Sequence, residues 1–408
     1  MRLPGRQDAG KQGWLGYCLN VHPTQTMAEV KAALQGPVRE IKRRLSPDAP
    51  FAVGLRLSAE AAADPDAAAA ELSALFAAEG YVAYTMNGFP YGRFHGVSVK
   101  TDVYQPDWTT PQRRHYTANL ARVMAALVPA GATATISTVP GGFAESTRDR
   151  QDAVADGLLR GVADLVALRR QTGRTVALAL EPEPWCLLET TQDAVTFFRD
   201  WLFTPAAARR LAALSGLTPD EAAAALPRHL GLCLDVCHMA VAFETPEETL
   251  AALAQAGIPI HKIQLSAALR IERMDGEARR QVAAFKDAVY LHQVVTRSDG
   301  GATRRFLDLP EALAAGGDGE EWRIHFHVPV FTNPRPPLGS TRPVLERVLA
   351  LHRAQPISAH LEVETYTWDV LPTGTGLMAA SGETTAITAG DVTTGIEREL
   401  EWVLRQLS

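Results

Sequence analysis

Cysteine is scarce in this chain of 408 residues, which contains only four, at positions 18, 186, 233 and 237. Cys233 and Cys237 lie close together in the sequence, but the chain lacks the second pair of cysteines that a zinc-thiolate site requires. A chain of this length can bury a large core without disulfide bonds or a structural metal. Scattered thiols are typical of a reducing compartment, so we expect free cysteines and a cytoplasmic protein.

Long apolar runs and an excess of basic residues are also missing. The first 13 residues form a short polar segment without the apolar run of a signal peptide. No stretch approaches the roughly 18 to 20 apolar residues of a membrane span. The net charge is −6, the pI is about 6.0, and both signs are interspersed. This charge pattern argues against nucleic-acid binding, which requires a basic face.

Three apolar segments run into a carboxylate, at residues 176–181, 230–235 and 360–364. Side chains alternate along a strand, so Glu181 shares a face with Ala177 and Ala179. The opposite face carries large aliphatic residues. Small residues on one face and large ones on the other are typical of parallel barrel strands that have helices packed outside them.

Further segments of similar pattern bring the total to eight candidate strands, with helical segments between them; they are residues 16–22, 51–57, 82–87, 133–139 and 260–264. The sequence therefore predicts an α/β protein, a single (β/α)8 TIM-barrel domain over residues 1–408. An insertion at about residues 271–339 separates the seventh and eighth barrel strands, and we expect its segments 289–296 and 322–331 to form a β-hairpin. Residues 374–390 are rich in glycine, threonine and alanine and are expected to be mobile.

Carboxylates at the ends of several barrel strands should converge at one mouth of the barrel. Burying such charges is costly unless a cation neutralises them, which favours a metal site. The predicted ligands are Glu181, Asp235, Gln264 and Glu364, with Glu364 preferred to Glu362 because it lies further out. An all-oxygen set suits Mn²⁺ or Mg²⁺, with Zn²⁺ or Co²⁺ as alternatives.

Other polar residues are candidates for substrate binding at the same mouth; they are His22, Arg56, Asn87, Glu183, His238, His325 and His327. Such a polar wall suits a hydroxylated or anionic small molecule. Structural explanations stay open for several of them. His238 could cap a local carbonyl, His325 and His327 could be a satisfied pair on a surface sheet, and Gln264 could simply bond its neighbours.

The carboxylates and Asp235-Val-Cys-His238 resemble the xylose-isomerase-like TIM-barrel superfamily of sugar isomerases and epimerases. A closer resemblance, to the metabolite-traffic family EboE, rests on Asn20-Val-His-Pro23, Leu180-Glu-Pro-Glu-Pro184, His325-Phe-His-Val-Pro-Val330 and Glu362-Val-Glu-Thr-Tyr-Thr-Trp368. That family is linked to the movement of secondary-metabolite precursors, which implies partners from the same gene cluster. Gln264 stands where the epimerases have a metal-binding histidine, which His325 or His327 would have to replace.

The superfamily resemblance implies a metal-dependent isomerase or epimerase in which Glu181 and Glu364 exchange a proton with a polyhydroxy or keto metabolite. A metabolite carrier on the same barrel, without turnover, is the alternative, and Gln264 favours it. A metal-dependent endonuclease of the same superfamily is disfavoured because it would need more histidine ligands and a basic groove.

Overall fold

The architecture is an eight-stranded parallel barrel surrounded by helices. A computed structural model describes residues 1–3, 13–372, 378–379 and 392–408. The predicted mobile segment at residues 374–390 lies almost entirely outside them. The barrel strands are β1 Trp14–Tyr17, β2 Phe51–Arg56, β3 Tyr81–Asn87, β4 Thr133–Thr138, β5 Thr175–Leu180, β6 Leu230–Asp235, β7 Ile260–Leu265 and β14 His360–Val363.

The barrel strands pair in parallel in the order β1-β14-β7-β6-β5-β4-β3-β2. A bridge between Cys18 and Gly54 joins the two outer strands and closes the ring. Strands adjacent in the chain are therefore adjacent in space, and the predicted (β/α)8 fold is confirmed. The first strand differs from the predicted segment 16–22. It ends at Tyr17, and the residues Leu19–Val21 form a 3₁₀ helix instead of the second half of the strand.

Helices connect the strands and pack outside the barrel, and several begin with the capping signals that the sequence carries. The Thr26 hydroxyl accepts from the backbone of Glu29, whose carboxylate accepts from the backbone of Thr26. The helices are α1 Met27–Ala33, α2 Arg39–Leu45, α3 Pro65–Glu79, α4 Pro111–Leu127, α5 Ala144–Thr147, α6 Gln151–Thr172, α7 Thr191–Phe197, α8 Pro205–Ser215, α9 Pro219–His229, α10 Val236–Val241 and α11 Pro246–Gln255, followed later by α12 Gly276–Val282, α13 Leu309–Ala315, α14 Arg342–Ala354 and α15 Val392–Leu407.

The insertion between β7 and β14 forms a five-stranded antiparallel sheet rather than a single hairpin. Its strands are β8 Ala268–Ile271, β9 Val294–Arg297, β10 Thr303–Phe306, β11 Glu321–His327 and β13 Leu338–Ser340, in the order β10-β9-β11-β8-β13. Of the two predicted strands, 289–296 and 322–331, only parts form strands, β9 and β11; these pair with each other, but β10 lies between them in the chain. A two-residue pair, β12 Thr332–Asn333 and β15 Met378–Ala379, lies outside this sheet.

The interior of the barrel contains a fully buried ion pair. Lys262 Nζ lies 2.5 Å from Glu362 Oε2, and neither side chain is exposed. Burial alone would lower the pKa of Lys262, but the Glu362 carboxylate raises it above its ordinary value. Gly54 leaves space for this carboxylate, since a Cβ there would lie 1.3 Å from Glu362 Oε1.

The last helix is tied to the barrel and to the insertion by a buried carboxylate. Glu399 in α15 accepts hydrogen bonds from Thr365 Oγ1 at 2.6 Å and from the Val330 backbone at 3.1 Å. Burial raises the pKa of Glu399 to about 8. Among the described residues, no helix has an apolar stretch long enough to cross a membrane.

We predict that Lys262→Met will lower the free energy of unfolding by about 3–5 kcal/mol, because it leaves the Glu362 carboxylate buried without a partner. Chemical denaturation followed by circular dichroism measures the change. The double variant Lys262→Met/Glu362→Gln, which removes both charges, should recover part of the loss. Wild-type stability in the single variant would show that the pair is not the neutralising element.

We also predict a pH-dependent effect of Glu399→Gln. The pKa of Glu399 is raised in the folded protein from its ordinary 4.5 to about 8, so its contribution to stability is complete below 4.5 and is lost as the pH rises to 8. The variant should therefore gain stability relative to the wild type across this interval, and the difference should level off above it. Thermal unfolding at a series of pH values measures this, and parallel curves would contradict it.

Candidate metal centre

Three carboxylates from separate strands meet at the carboxyl end of the barrel. Glu181 follows β5, Asp235 ends β6 and Glu364 follows β14. A carboxylate oxygen from each residue lies within 4.8 Å of the others, and all three side chains are buried. Like charges at this spacing repel strongly unless a proton or a cation neutralises them.

The protonation equilibria of this cluster reflect that crowding. Burial, followed by the neighbouring Asp235, raises the pKa of Glu181 to about 7. Burial, followed by Glu181 and Asp235, raises the pKa of Glu364 well above its ordinary value. Both shifts express first the burial of the carboxylates and then the repulsion between neighbouring negative charges.

Neighbouring side chains fix the orientation of two of the carboxylates. Asn20 and Asn87 both donate to Glu364 Oε1, from 2.5 Å and 3.2 Å. The backbone of His238 and the hydroxyl of Ser266 both donate to Asp235 Oδ1, each from 2.9 Å. The second oxygen of Asp235 is left free by this arrangement.

Among the described residues, three buried acceptor atoms at the cluster have no hydrogen-bond partner. They are Glu181 Oε2, Asp235 Oδ2 and His327 Nε2. Buried polar atoms without partners are rare and call for an explanation. A divalent cation would satisfy all three, so the donor set fits a metal. Gln264 Oε1 is also without a partner, but the Gln264 amide lies beside the deeper carboxylate, Glu362.

His327 reaches this cluster from the inserted sheet. Its Nδ1 lies 2.7 Å from the Glu364 carbonyl oxygen, which can only accept, so the proton is on Nδ1 and Nε2 carries a lone pair. Burial lowers the pKa of His327 to about 4, which keeps the ring neutral. A ligand atom of His327 lies within 4.8 Å of Asp235. His327 can therefore supply the imidazole that Gln264 lacks.

A second group of polar residues forms one wall of the cavity beside the carboxylates. Glu183, His238 and His325 line this cavity together with Glu181 and Glu364. Tyr104 donates to Glu183 Oε1 from 2.8 Å, and Gln293 donates to the Tyr104 hydroxyl from 2.9 Å. The remaining wall is largely aromatic and includes Phe94, Tyr290 and Tyr366.

Three of the predicted substrate-binding residues, His22, Arg56 and His327, are not among the residues that line this cavity. Arg56 is buried, but its guanidinium donates to Thr24 and to the carbonyl oxygens of Pro90 and Gly92, so it holds two loops together. His22 lies beyond the short 3₁₀ helix and contacts the Tyr17 hydroxyl at 3.1 Å. Asn87, by contrast, lines the cavity as expected.

Sequence reasoning missed three residues at the site. Asn20 lies in the segment 16–22, which the sequence predicts as a strand, but it was not assigned to the site, although it contacts Glu364 directly. Tyr104 and Gln293 come from a 3₁₀ helix and from the insertion, where no periodic pattern marks them. For Asn20 a signal exists, because the alternation of a strand places it on the same face as His22, which was assigned to the site.

Comparisons with known proteins give structural likenesses. No family model matches the chain, and no curated protein matches it significantly. Similar solved structures include a xylose isomerase-like TIM-barrel protein from Mycobacterium smegmatis in complex with magnesium (13% identity, TM-score 0.47, 97% of this chain and 98% of that one). A second is the IolI protein with a zinc atom, at 12% identity and a TM-score of 0.44, covering 97% of this chain and 99% of that one. A third is the probable 3-DHS dehydratase AsbF of petrobactin synthesis from Bacillus anthracis, at 9% identity and a TM-score of 0.44, covering 95% of this chain and 97% of that one.

We predict that the protein binds Mn²⁺ through the three carboxylates. Glu181→Gln, Asp235→Asn and Glu364→Gln should each weaken the binding at least about tenfold, because each removes a charged ligand. Isothermal titration calorimetry on metal-free protein measures the affinities. Glu399→Gln is the matched control, a buried carboxylate outside the cluster that should bind as the wild type does. Unchanged Mn²⁺ affinity in all three cluster variants would contradict the proposed metal centre.

Proposed function

We propose that this protein is a divalent-metal-dependent isomerase or epimerase that acts on a small polyhydroxy or keto metabolite. The observation that carries the proposal is the meeting of Glu181, Asp235 and Glu364 within 4.8 Å beside a cavity. In a TIM barrel this end of the strands is where chemistry takes place. Mn²⁺ or Mg²⁺ suits the oxygen ligands, and an imidazole from His327 would bring Zn²⁺ or Co²⁺ within range.

A divalent ion bound by Glu181, Asp235, Glu364, Gln264 and His327 would polarise a carbonyl group and so acidify the neighbouring C–H bond. Glu181 removes this proton, and Glu364 returns a proton to the other face or to the adjacent carbon. The two residues suit these roles because β5 and β14 are separated by β6 and β7 in the ring. They therefore approach a substrate from different sides.

Neighbouring residues prepare these groups for proton transfer. Asn20 and Asn87 both donate to Oε1 of Glu364, which leaves the other oxygen available for proton transfer. Glu183, His238 and His325 provide hydrogen-bonding groups for substrate hydroxyls on the cavity wall. The aromatic residues Phe94 and Tyr290 limit access of water, which strengthens electrostatic interactions inside.

The biological setting is part of the proposal. The segments that resemble the EboE family suggest that the substrate is a precursor of a secondary metabolite and that partners come from the same gene cluster. We further propose a single domain, with the inserted sheet as an elaboration of the barrel, and a cytoplasmic location. The resemblance and the free, buried cysteines support these assignments.

A carrier that binds the same metabolite without turnover is the second candidate. Gln264 favours it, because a neutral amide is a weaker metal ligand than a histidine or a carboxylate. In a carrier the cavity would retain a small molecule through purification. Native mass spectrometry would then show a bound metabolite that stays chemically unchanged.

We predict that the metal-loaded protein will exchange a carbon-bound proton of its substrate with solvent. Incubation with a panel of ketoses, aldoses and cyclic polyol ketones in D₂O, followed by NMR, measures the exchange. Glu181→Gln and Glu364→Gln should slow it by at least about 100-fold, because each removes one proton-transfer group. Glu399→Gln should react as the wild type does.

Full exchange in both glutamine variants would disprove the assigned proton transfer. A wild-type protein that retains a ligand and exchanges no proton would favour the carrier.

A further inference from the structure

Two buried histidines face each other at the edge of the cavity. His238 lies in α10, directly after β6, and His325 lies in β11 of the inserted sheet. Their Nε2 atoms are 3.1 Å apart, and the side chains are 6% and 3% exposed. The inserted sheet carries His325 to the barrel mouth, and this brings its ring against His238.

The other nitrogen of each ring must carry a proton. His238 Nδ1 lies 2.9 Å from the Pro182 carbonyl oxygen, which can only accept. His325 Nδ1 lies 2.7 Å from Gln293 Oε1. The Gln293 amide nitrogen is committed to the Tyr104 hydroxyl and the Pro184 carbonyl, so Oε1 is the acceptor of this contact.

When both rings are neutral, their Nε2 lone pairs therefore point at each other. This arrangement is repulsive unless a proton or a metal ion lies between the two atoms. Burial of His238 is outweighed by Asp235, Glu183 and Glu181, which raise its pKa. Two imidazole nitrogens bound to one tetrahedral Zn²⁺ at about 2.0–2.1 Å would lie roughly 3.3 Å apart, close to the observed spacing. A small adjustment of either ring would create that geometry.

Glu183 is the candidate third ligand. Its Oε1 lies 3.9 Å from Nδ1 of His325, one of its oxygens lies within 4.8 Å of a ring nitrogen of His238, and the residue is only 8% exposed. We propose that Glu183, His238 and His325 form a second metal site, with ligands different from those of the carboxylate centre, for a borderline ion such as Zn²⁺ or Co²⁺. All three residues line the cavity, so a substrate hydroxyl would bind at the fourth position of this ion rather than directly to the three side chains.

The two centres would differ in chemistry. The carboxylate centre offers mainly oxygen ligands, which suit hard ions, whereas the second site offers two imidazoles and one carboxylate. Occupancy of the second site does not depend on proton transfer by Glu181 and Glu364, so this inference goes beyond the proposed isomerisation.

Titration of the metal-free protein with Co²⁺, followed by visible absorption and metal analysis, tests the site. We expect two ions per chain, one of which gives the intense bands of four-coordinate Co²⁺. His325→Gln and Glu183→Gln should each bind one ion fewer and lose these bands. Glu181→Gln should lose the other ion and keep them.

His229→Gln is the matched control, because His229 is also buried and its Nδ1 also contacts a backbone carbonyl, that of Val176 at 2.7 Å. This variant should bind both ions. Binding of a single ion by the wild type would overturn the proposal, as would intense bands that persist in both His325→Gln and Glu183→Gln. A wild type that binds two ions but exchanges no substrate proton would contradict only the proposed isomerisation.

Discussion

Repulsion among three buried carboxylates is the constraint on which the rest of this site depends. Glu181, Asp235 and Glu364 are held within 4.8 Å of one another, with little solvent to screen them. The barrel places them there because its parallel strands all deliver their carboxyl ends to the same mouth. A rigid backbone ring can sustain this repulsion only if a cation or protons offset it.

The barrel interior shows two different solutions to buried negative charge. Glu362, two residues before Glu364 and deeper in the barrel, is neutralised by Lys262 at 2.5 Å. Glu364 instead receives hydrogen bonds from Asn20 and Asn87, which orient it without supplying a full positive charge. The deeper carboxylate is thus a structural element, and the outer one remains available for a metal or a substrate.

Much of this organisation was predictable from the sequence. Strand alternation and helix caps are local properties, so seven of the barrel strands and the convergence of the carboxylates follow from residue order alone. The sequence also predicts that a carboxylate deeper than Glu364 needs a partner, but it does not identify Lys262 as the partner of Glu362.

Long side chains and irregular segments limited the prediction. Arg56 ends a barrel strand at a position that faces inward. Its long side chain nevertheless donates to carbonyl oxygens of the loops and does not line the cavity. The first strand ends early, and Asn20 then turns toward Glu364 from a 3₁₀ helix. The strands Ala268–Ile271 and Leu338–Ser340 are too short to show the alternation of a strand in the sequence. The five-stranded sheet was therefore predicted as a hairpin.

The inserted sheet matters because it brings His325 and His327 over the mouth. No pattern in residues 322–331 specifies which ring would meet which carboxylate, since this depends on how the sheet packs against the barrel. The structure places His327 beside Asp235 and His325 beside His238. His327 thus brings an imidazole beside Asp235 from a distant part of the chain.

The most direct measurement is an anomalous-difference map from crystals of the protein grown with Mn²⁺. A strong peak in contact with carboxylate oxygens of Glu181, Asp235 and Glu364 is the predicted result. A barrel mouth without a peak, with the three carboxylates bonded only to one another or to water, would contradict the metal centre and the chemistry built on it.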